Sequence, residues 1–159
     1  MIPIRARAGA LLLAASIAGC STGDFATNPG DGPPVVTEPT CTVNGVAGPC
    51  TLPVEADISS FDVTLTSSSC NATDDHLRIT QPVVKDLTSD ACHENLGKKW
   101  TVNGPFPAGS AINVQIISTQ LQRPPSLKAE GQFPNWTLTF EDGGDSDIND
   151  VVLAVTAHQ

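Results

Sequence analysis

Residues 136–157 read WTLTFEDGGDSDINDVVLAVTA, and this stretch decides the fold. Trp136, Leu138 and Phe140 alternate with Thr137 and Thr139, the period of two that sends successive side chains to opposite faces of a strand. Residues 151–155 are apolar on both faces, which suits a strand inside a sheet. Between the two runs lies a ten-residue acidic turn, residues 141–150. The stretch therefore predicts a hairpin with one face in a core and a charged tip.

The same rhythm recurs outward from it. Phe61, Val63 and Leu65 alternate with Asp62, Thr64 and Thr66, and residues 77–79, 99–102 and 111–118 also read as strands. Turn clusters such as Asn103-Gly104-Pro105 and Pro107-Ala108-Gly109 separate them. No stretch holds a helical period, apart from a turn around Asp90 to Leu96. Six to eight short strands punctuated in this way predict an all-β fold, an antiparallel β-sandwich of jelly-roll or immunoglobulin-like outline. Trp136 shares its face with Leu138 and Phe140 and belongs to the core; Trp100, beside Lys98 and Lys99, stands between core packing and a sugar-stacking surface.

The chain has 159 residues, 40% apolar and 16% charged, enough for one domain. Its formal charge of −9 excludes a nucleic-acid binder, which shows a basic face. The N-terminus carries Arg5 and Arg7 ahead of an unbroken small and apolar run, residues 8–18, ending at Gly19-Cys20. That is the layout of a secretory signal. Ile17-Ala18-Gly19-Cys20 resembles the lipobox of bacterial lipoproteins, and the resemblance implies cleavage before Cys20, acylation of that cysteine and, with Ser21 following it, the outer membrane. Each buried CH₂ of an acyl chain contributes about 0.8 kcal/mol, so several chains on Cys20 would hold the protein to the lipid bilayer without a spanning segment. Loss of Arg5 and Arg7 leaves 6 basic residues against 17 acidic ones, a formal −11 that favours cations.

Residues 21–40 (STGDFATNPGDGPPVVTEPT) offer almost nothing to bury and read as a flexible Pro/Gly/Thr linker, so the folded unit is residues 41–159. With Cys20 assigned to the anchor, Cys41, Cys50, Cys70 and Cys92 form an even set in a compartment that permits disulfides. Of the three connectivities, Cys41 with Cys50 and Cys70 with Cys92 closes the shortest loops, and Asn44-Gly45 and Gly48-Pro49 can turn the chain back. Loops of roughly 10 and 20 residues would each stabilise the fold by about 3 kcal/mol in the chain-entropy picture. Zinc is the rival reading, but no Cys-x-x-Cys pair occurs and only His93 adjoins a cysteine.

The acidic turn carries the chemistry. It holds Glu141, Asp142, Asp145, Asp147 and Asp150, and no Lys or Arg follows Lys128. Crowded carboxylates repel, and a hard divalent cation offsets that repulsion economically. Ca²⁺ takes 6 to 8 oxygens at about 2.3–2.6 Å from carboxylates, amides and backbone. In Asp145-Ser146-Asp147-Ile148-Asn149 the oxygen-bearing side chains recur at every second residue, and Asp142 or Asp150, with the Ile148 carbonyl and water, can complete the shell. It is not an EF-hand, because counting from Asp145 puts Asp150 and Thr156 where that loop needs Gly and Glu. The bland alternative is an acidic hairpin whose Asp and Asn side chains cap backbone N–H groups and keep an edge soluble.

Phe140-Glu141-Asp142, Gly143-Gly144-Asp145, Asp147 and Asn149-Asp150-Val151-Val152 resemble the C-terminal signature F-E-D-(L-P)-G-G-G-D-x-D-[FY]-N-D-V-V of a β-rich domain of unknown function found in secreted and surface-attached bacterial proteins. About 13 residues match closely. This chain has a shorter turn, lacks Leu-Pro, and carries Ile148 where the family prefers an aromatic. The resemblance implies calcium binding, with Asp142, Asp145, Asp147, Asn149 and Asp150 as ligands.

Catalytic constellations find little support in the sequence. His76, His93 and His158 are widely spaced, no Ser sits in a G-x-S-x-G setting, and Asp90-Ala91-Cys92-His93-Glu94 reads as a loop beside a disulfide. A carboxylate pair for glycoside hydrolysis can be drawn from Glu141 and Asp145, but the crowding suits a metal better. The expectation is a non-enzymatic, envelope-anchored lipoprotein with a structural Ca²⁺, a surface or periplasmic module that binds an extracellular protein or glycan. Its rivals are a purely structural envelope component and a small hydrolase.

Overall fold

The computed structural model describes residues 40–70, 75–117, 125–142 and 148–159. The expected signal, Cys20 and most of the linker, residues 1–39, lie outside the described residues, as do Asp145 and Asp147.

Eleven strands occur among the described residues: β1 (Thr40–Val43), β2 (Val46–Ala47), β3 (Leu52–Pro53), β4 (Ile58–Ser68), β5 (His76–Gln81), β6 (Lys85–Thr88), β7 (Lys99–Phe106), β8 (Ala111–Ile117), β9 (Ser126–Gln132), β10 (Asn135–Glu141) and β11 (Val151–His158). A single 3-10 turn, Ala91–His93, is the counterpart of the turn expected near Asp90. The strands form a seven-stranded sheet, order β2-β1-β9-β10-β11-β4-β7, and a four-stranded sheet, order β3-β8-β5-β6. The fold is the β-sandwich that the alternation predicts.

Three details depart from expectation. The strands outnumber six to eight, because β1, β2, β3, β6 and β9 are short or polar. The seven-stranded sheet is not wholly antiparallel: β1 runs parallel to β9, with Thr40 opposite Ser126 and Val43 opposite Ala129. Asn103-Gly104-Pro105 is not a turn but the end of β7, where the pairing with β4 shifts register between Ile58 and Ser60. A side chain at Gly104 would meet the Phe106 amide nitrogen at 2.8 Å and the Ser59 carbonyl oxygen at 2.9 Å, so the backbone closes up there in a way only glycine permits. β7 is an edge strand, which tolerates Pro105 without losing a ladder bond to a further neighbour.

The two strands of the 136–157 stretch, β10 and β11, pair as read. Trp136 faces Val155, Leu138 faces Leu153 and Phe140 faces Val151 across β10 and β11, and all six are buried. β11 lies between β10 and β4, the interior place that its apolar run requires. From β4, Phe61, Val63 and Leu65 join the same core, and Leu77 and Ile79 of β5 and Ile112 and Val114 of β8 complete it. Each such side chain contributes about 1.5–3 kcal/mol by leaving water. Trp100 is half-buried and packs against the core, whereas Trp136 is buried with its ring edge-on to Phe133 at 5.9 Å.

Both disulfides form with the expected pairing, Cys41 with Cys50 and Cys70 with Cys92. The first ties the β1–β2 hairpin, whose Asn44-Gly45 tip has φ values of 48° and 80°. Two left-handed residues match the twist of a tight hairpin, which is why Asn-Gly occupies it. The second ties the residues after β4 to the 3-10 turn between β6 and β7.

Candidate metal centre

β10 ends and β11 begins at one end of the seven-stranded sheet. In the ladder, Glu141 of β10 pairs with Ser126 of β9, and Val151 of β11 pairs with Ser68 of β4, so Glu141, Asp142 and Asp150 arrive at the same rim. The Asp150 N–H donates to the Phe140 carbonyl at 3.0 Å, extending the hairpin one step beyond the Phe140–Val151 pair. Its carbonyl accepts the Ser69 N–H at 2.7 Å, and its Oδ2 accepts the Asp142 N–H at 2.7 Å. One aspartate thus closes the hairpin, joins it to β4 and orients the next acid with its side chain.

The result is a compact anionic cluster. Oxygens of Glu141, Asp142 and Asp150 all lie within 4.8 Å of one another. The residues are 6%, 0% and 1% exposed. Two unit charges at that spacing repel by roughly 3 kcal/mol at an effective dielectric near 20. A hard divalent cation relieves such repulsion, and an all-oxygen, carboxylate-rich donor set is what Ca²⁺ or Mg²⁺ accepts. The residues present therefore fit such an ion.

Of the ligands that the sequence points to, the structure brings Asp142 and Asp150 together and places Asn149, with its neighbour Ile148, on the exposed surface of the tip. Asp145 and Asp147 lie outside the described residues. Glu141 is the residue that sequence reasoning leaves out of the ligand set. The sequence counts it among the acids of the turn, and at the end of β10 it is buried with the two aspartates. Its place beside Asp142, before the turn, is the signal that identifies it.

A second group of ligand-type side chains, Cys70, Asp75 and Cys92, is held equally close, but its two sulfurs are joined to each other and are not thiolates. The three histidines do not converge. His76 pairs with Asp86 at 2.9 Å, His93 with Asp90 at 2.7 Å and His158 with Asp62 at 3.0 Å. The Asp62 carboxylate is buried on β4 and accepts from Thr101 Oγ1 at 2.7 Å and from Lys99 Nζ at 3.1 Å. The Thr101 hydroxyl above all, with His158 and Lys99, holds its carboxyl down at about 2 against the opposing effect of burial.

No protein-family model matches the sequence, and no curated protein sequence matches it. Solved structures do. The high-affinity mannose-binding lectin of Ralstonia solanacearum aligns with a TM-score of 0.50 at 22% identity, over 69% of this chain and 96% of that one. The Chromobacterium violaceum lectin CV2L, solved with alpha-methyl-fucoside, aligns with a TM-score of 0.48 at 21% identity over the same shares. The first likeness establishes a common fold.

Proposed function

We propose that this chain is a calcium-dependent glycan-binding module, held on the bacterial cell envelope, at the outer membrane, by an acylated Cys20. The observation that carries the reading is the convergence of the Glu141, Asp142 and Asp150 carboxylates at the rim of the seven-stranded sheet. Asp145, Asp147 and Asn149 belong to the same acidic turn in sequence and supply further oxygens to the ion. Bound there, Ca²⁺ neutralises the cluster, and with its preference for 6 to 8 oxygens it has places left for water or for sugar hydroxyls. The fold shared with a mannose-binding lectin makes a glycan the partner to test first.

The test has two stages. Thermal unfolding of the protein is followed in excess EDTA and then over a Ca²⁺ titration, with Mg²⁺ as control. Saturation to about 100 times the dissociation constant is expected to add about 2.7 kcal/mol, a rise of several degrees in a domain this size. Asp145→Ala and Asp147→Ala abolish that rise and leave the calcium-free stability unchanged or slightly higher. The protein is next passed over immobilised mannose with Ca²⁺ and with EDTA. Retention that EDTA reverses supports the reading; a full calcium response in both variants misplaces the ion, and a flat titration overturns the proposal.

A further inference from the structure

β4 ends at Ser68, and the next two residues lie against the acidic hairpin. The Ser69 N–H donates to the Asp150 carbonyl at 2.7 Å, and Cys70 Sγ lies 3.4 Å from that same oxygen. A disulfide sulfur has no proton to give, so the second contact is packing. Behind it, Cys92 is fixed independently of the hairpin. It sits in the 3-10 turn, where the Asp90 side chain accepts from the Cys92 N–H at 3.1 Å and the His93 N–H at 3.3 Å. The Ala91 N–H donates to the Asp75 carbonyl at 2.8 Å, and the buried Asp75 carboxylate lies 3.1 Å from Cys92 Sγ.

We propose that the Cys70–Cys92 disulfide is the positioning clamp of the acidic site: it anchors the end of β4 to the 3-10 turn between β6 and β7 and thereby holds Asp150, and through Asp150 the Asp142 carboxylate, in the converged arrangement. The inference rests on the cation reading for its consequence, but the clamp itself is a statement about the hairpin. Its links are consecutive. The disulfide fixes Cys70, the Ser69 N–H fixes the Asp150 backbone, and Asp150 Oδ2 fixes the Asp142 N–H. Cys41–Cys50 has no such role, because β1 is separated from β10 by β9. The two bridges close loops of comparable chain entropy, so a general stabilising effect moves both alike and a positioning effect moves only one.

The experiment compares the full chain with the pair Cys70→Ser and Cys92→Ser and with the control pair Cys41→Ser and Cys50→Ser. Two quantities are read at a temperature where circular dichroism shows each protein folded. They are Ca²⁺ affinity by calorimetry and amide exchange at Ser69, Asp142 and Asp150 in EDTA. Loss of Cys70–Cys92 is expected to weaken Ca²⁺ about tenfold, the size of change seen when a group that orients a metal ligand is removed. It also speeds exchange at the three amides, while the control pair leaves both near the parent. Equal affinities and equal exchange in the two pairs overturn the clamp. If the parent binds no Ca²⁺ the functional reading falls, and the exchange comparison still decides the clamp. If the Cys70 and Cys92 pair does not fold, Ser69→Pro serves instead. It keeps the bridge and removes the N–H on Asp150, with φ at residue 69 fixed as well, and an unchanged affinity and unchanged exchange at Asp142 and Asp150 overturn the clamp in the same way.

Discussion

The seven-stranded sheet buries carboxylates in two places about 20 Å apart along β4, and the two are solved in opposite ways. At Asp62 the chain surrounds one carboxylate with Thr101, Lys99 and His158, drawn from β7 and β11. At the rim it gathers Glu141, Asp142 and Asp150 within 4.8 Å of one another, on a stretch after which the sequence supplies no Lys or Arg. The first arrangement neutralises its acid from within and is a structural device. The second brings three carboxylates together on one rim, the oxygen-rich donor set on which the proposed cation site rests.

The sharpest way to break this comparison is to neutralise one acid on each side. Asp142→Asn removes a charge from the rim and is expected to raise stability in EDTA while abolishing the calcium-dependent gain, a loss of about 2.7 kcal/mol at 100 times the dissociation constant. Asp62→Ala goes the other way. It strips the acceptor from Thr101, Lys99 and His158 and is expected to cost about 1–2 kcal/mol with or without calcium, as hydrogen bonds to a charged acceptor do. Both are read by urea unfolding in EDTA and in Ca²⁺. If Asp142→Asn destabilises the EDTA form as Asp62→Ala does, the rim is an ordinary capped turn.

The rim was half legible in the sequence, and the Asp62 site was not. The alternation of Trp136, Leu138 and Phe140 with threonines, and the apolar run after Asp150, fix β10 and β11, because side-chain period is a local property of a strand. The acids between them need no long-range knowledge either. Glu141 stands in the acidic turn as read but outside the ligand set that the resemblance implies, and its burial beside Asp142 and Asp150 is a property of the assembled sheet. Lys99 and His158, in contrast, meet Asp62 only once β4 lies between β7 and β11, and no local pattern announces that neighbourhood. β9 escaped for a related reason: Leu127 and Ala129 alternate with Lys128 and Glu130, but two modest apolar residues in SLKAEGQ give too faint a signal. The parallel pairing of β1 with β9 is likewise a property of the assembled sheet.

Acid titration in EDTA sharpens the contrast further. The Asp62 carboxyl is held at about 2, below its ordinary 3.8, so its folded form binds a proton less readily than its unfolded form. The stability this contributes is present in full above the unfolded value and is lost as pH falls from about 4 through about 2. The difference in unfolding free energy between the parent and Asp62→Asn should shrink across that window and stay flat above pH 5. A difference that stays constant down to pH 2 would mean that Asp62 acts through packing and neutral hydrogen bonds alone.

The smallest effect is expected at Lys99, and it tests which partner matters at the compensated site. Its Nζ lies 3.1 Å from Asp62, but its side chain is 58% exposed, so water and salt screen the pair. Thr101 is the closer donor and the largest influence on the Asp62 carboxyl. Lys99→Ala is therefore expected to cost no more than about 0.5 kcal/mol, falling toward zero in molar salt, whereas Thr101→Val costs about 1 kcal/mol independent of salt. Urea unfolding at low and high ionic strength distinguishes the two. A salt-sensitive loss at Lys99 larger than that at Thr101 would make charge, not the hydroxyl hydrogen bond, the means by which β7 holds the acid on β4. The internal compensation of Asp62 would then be the same electrostatic kind of solution that the proposed cation would provide at the rim.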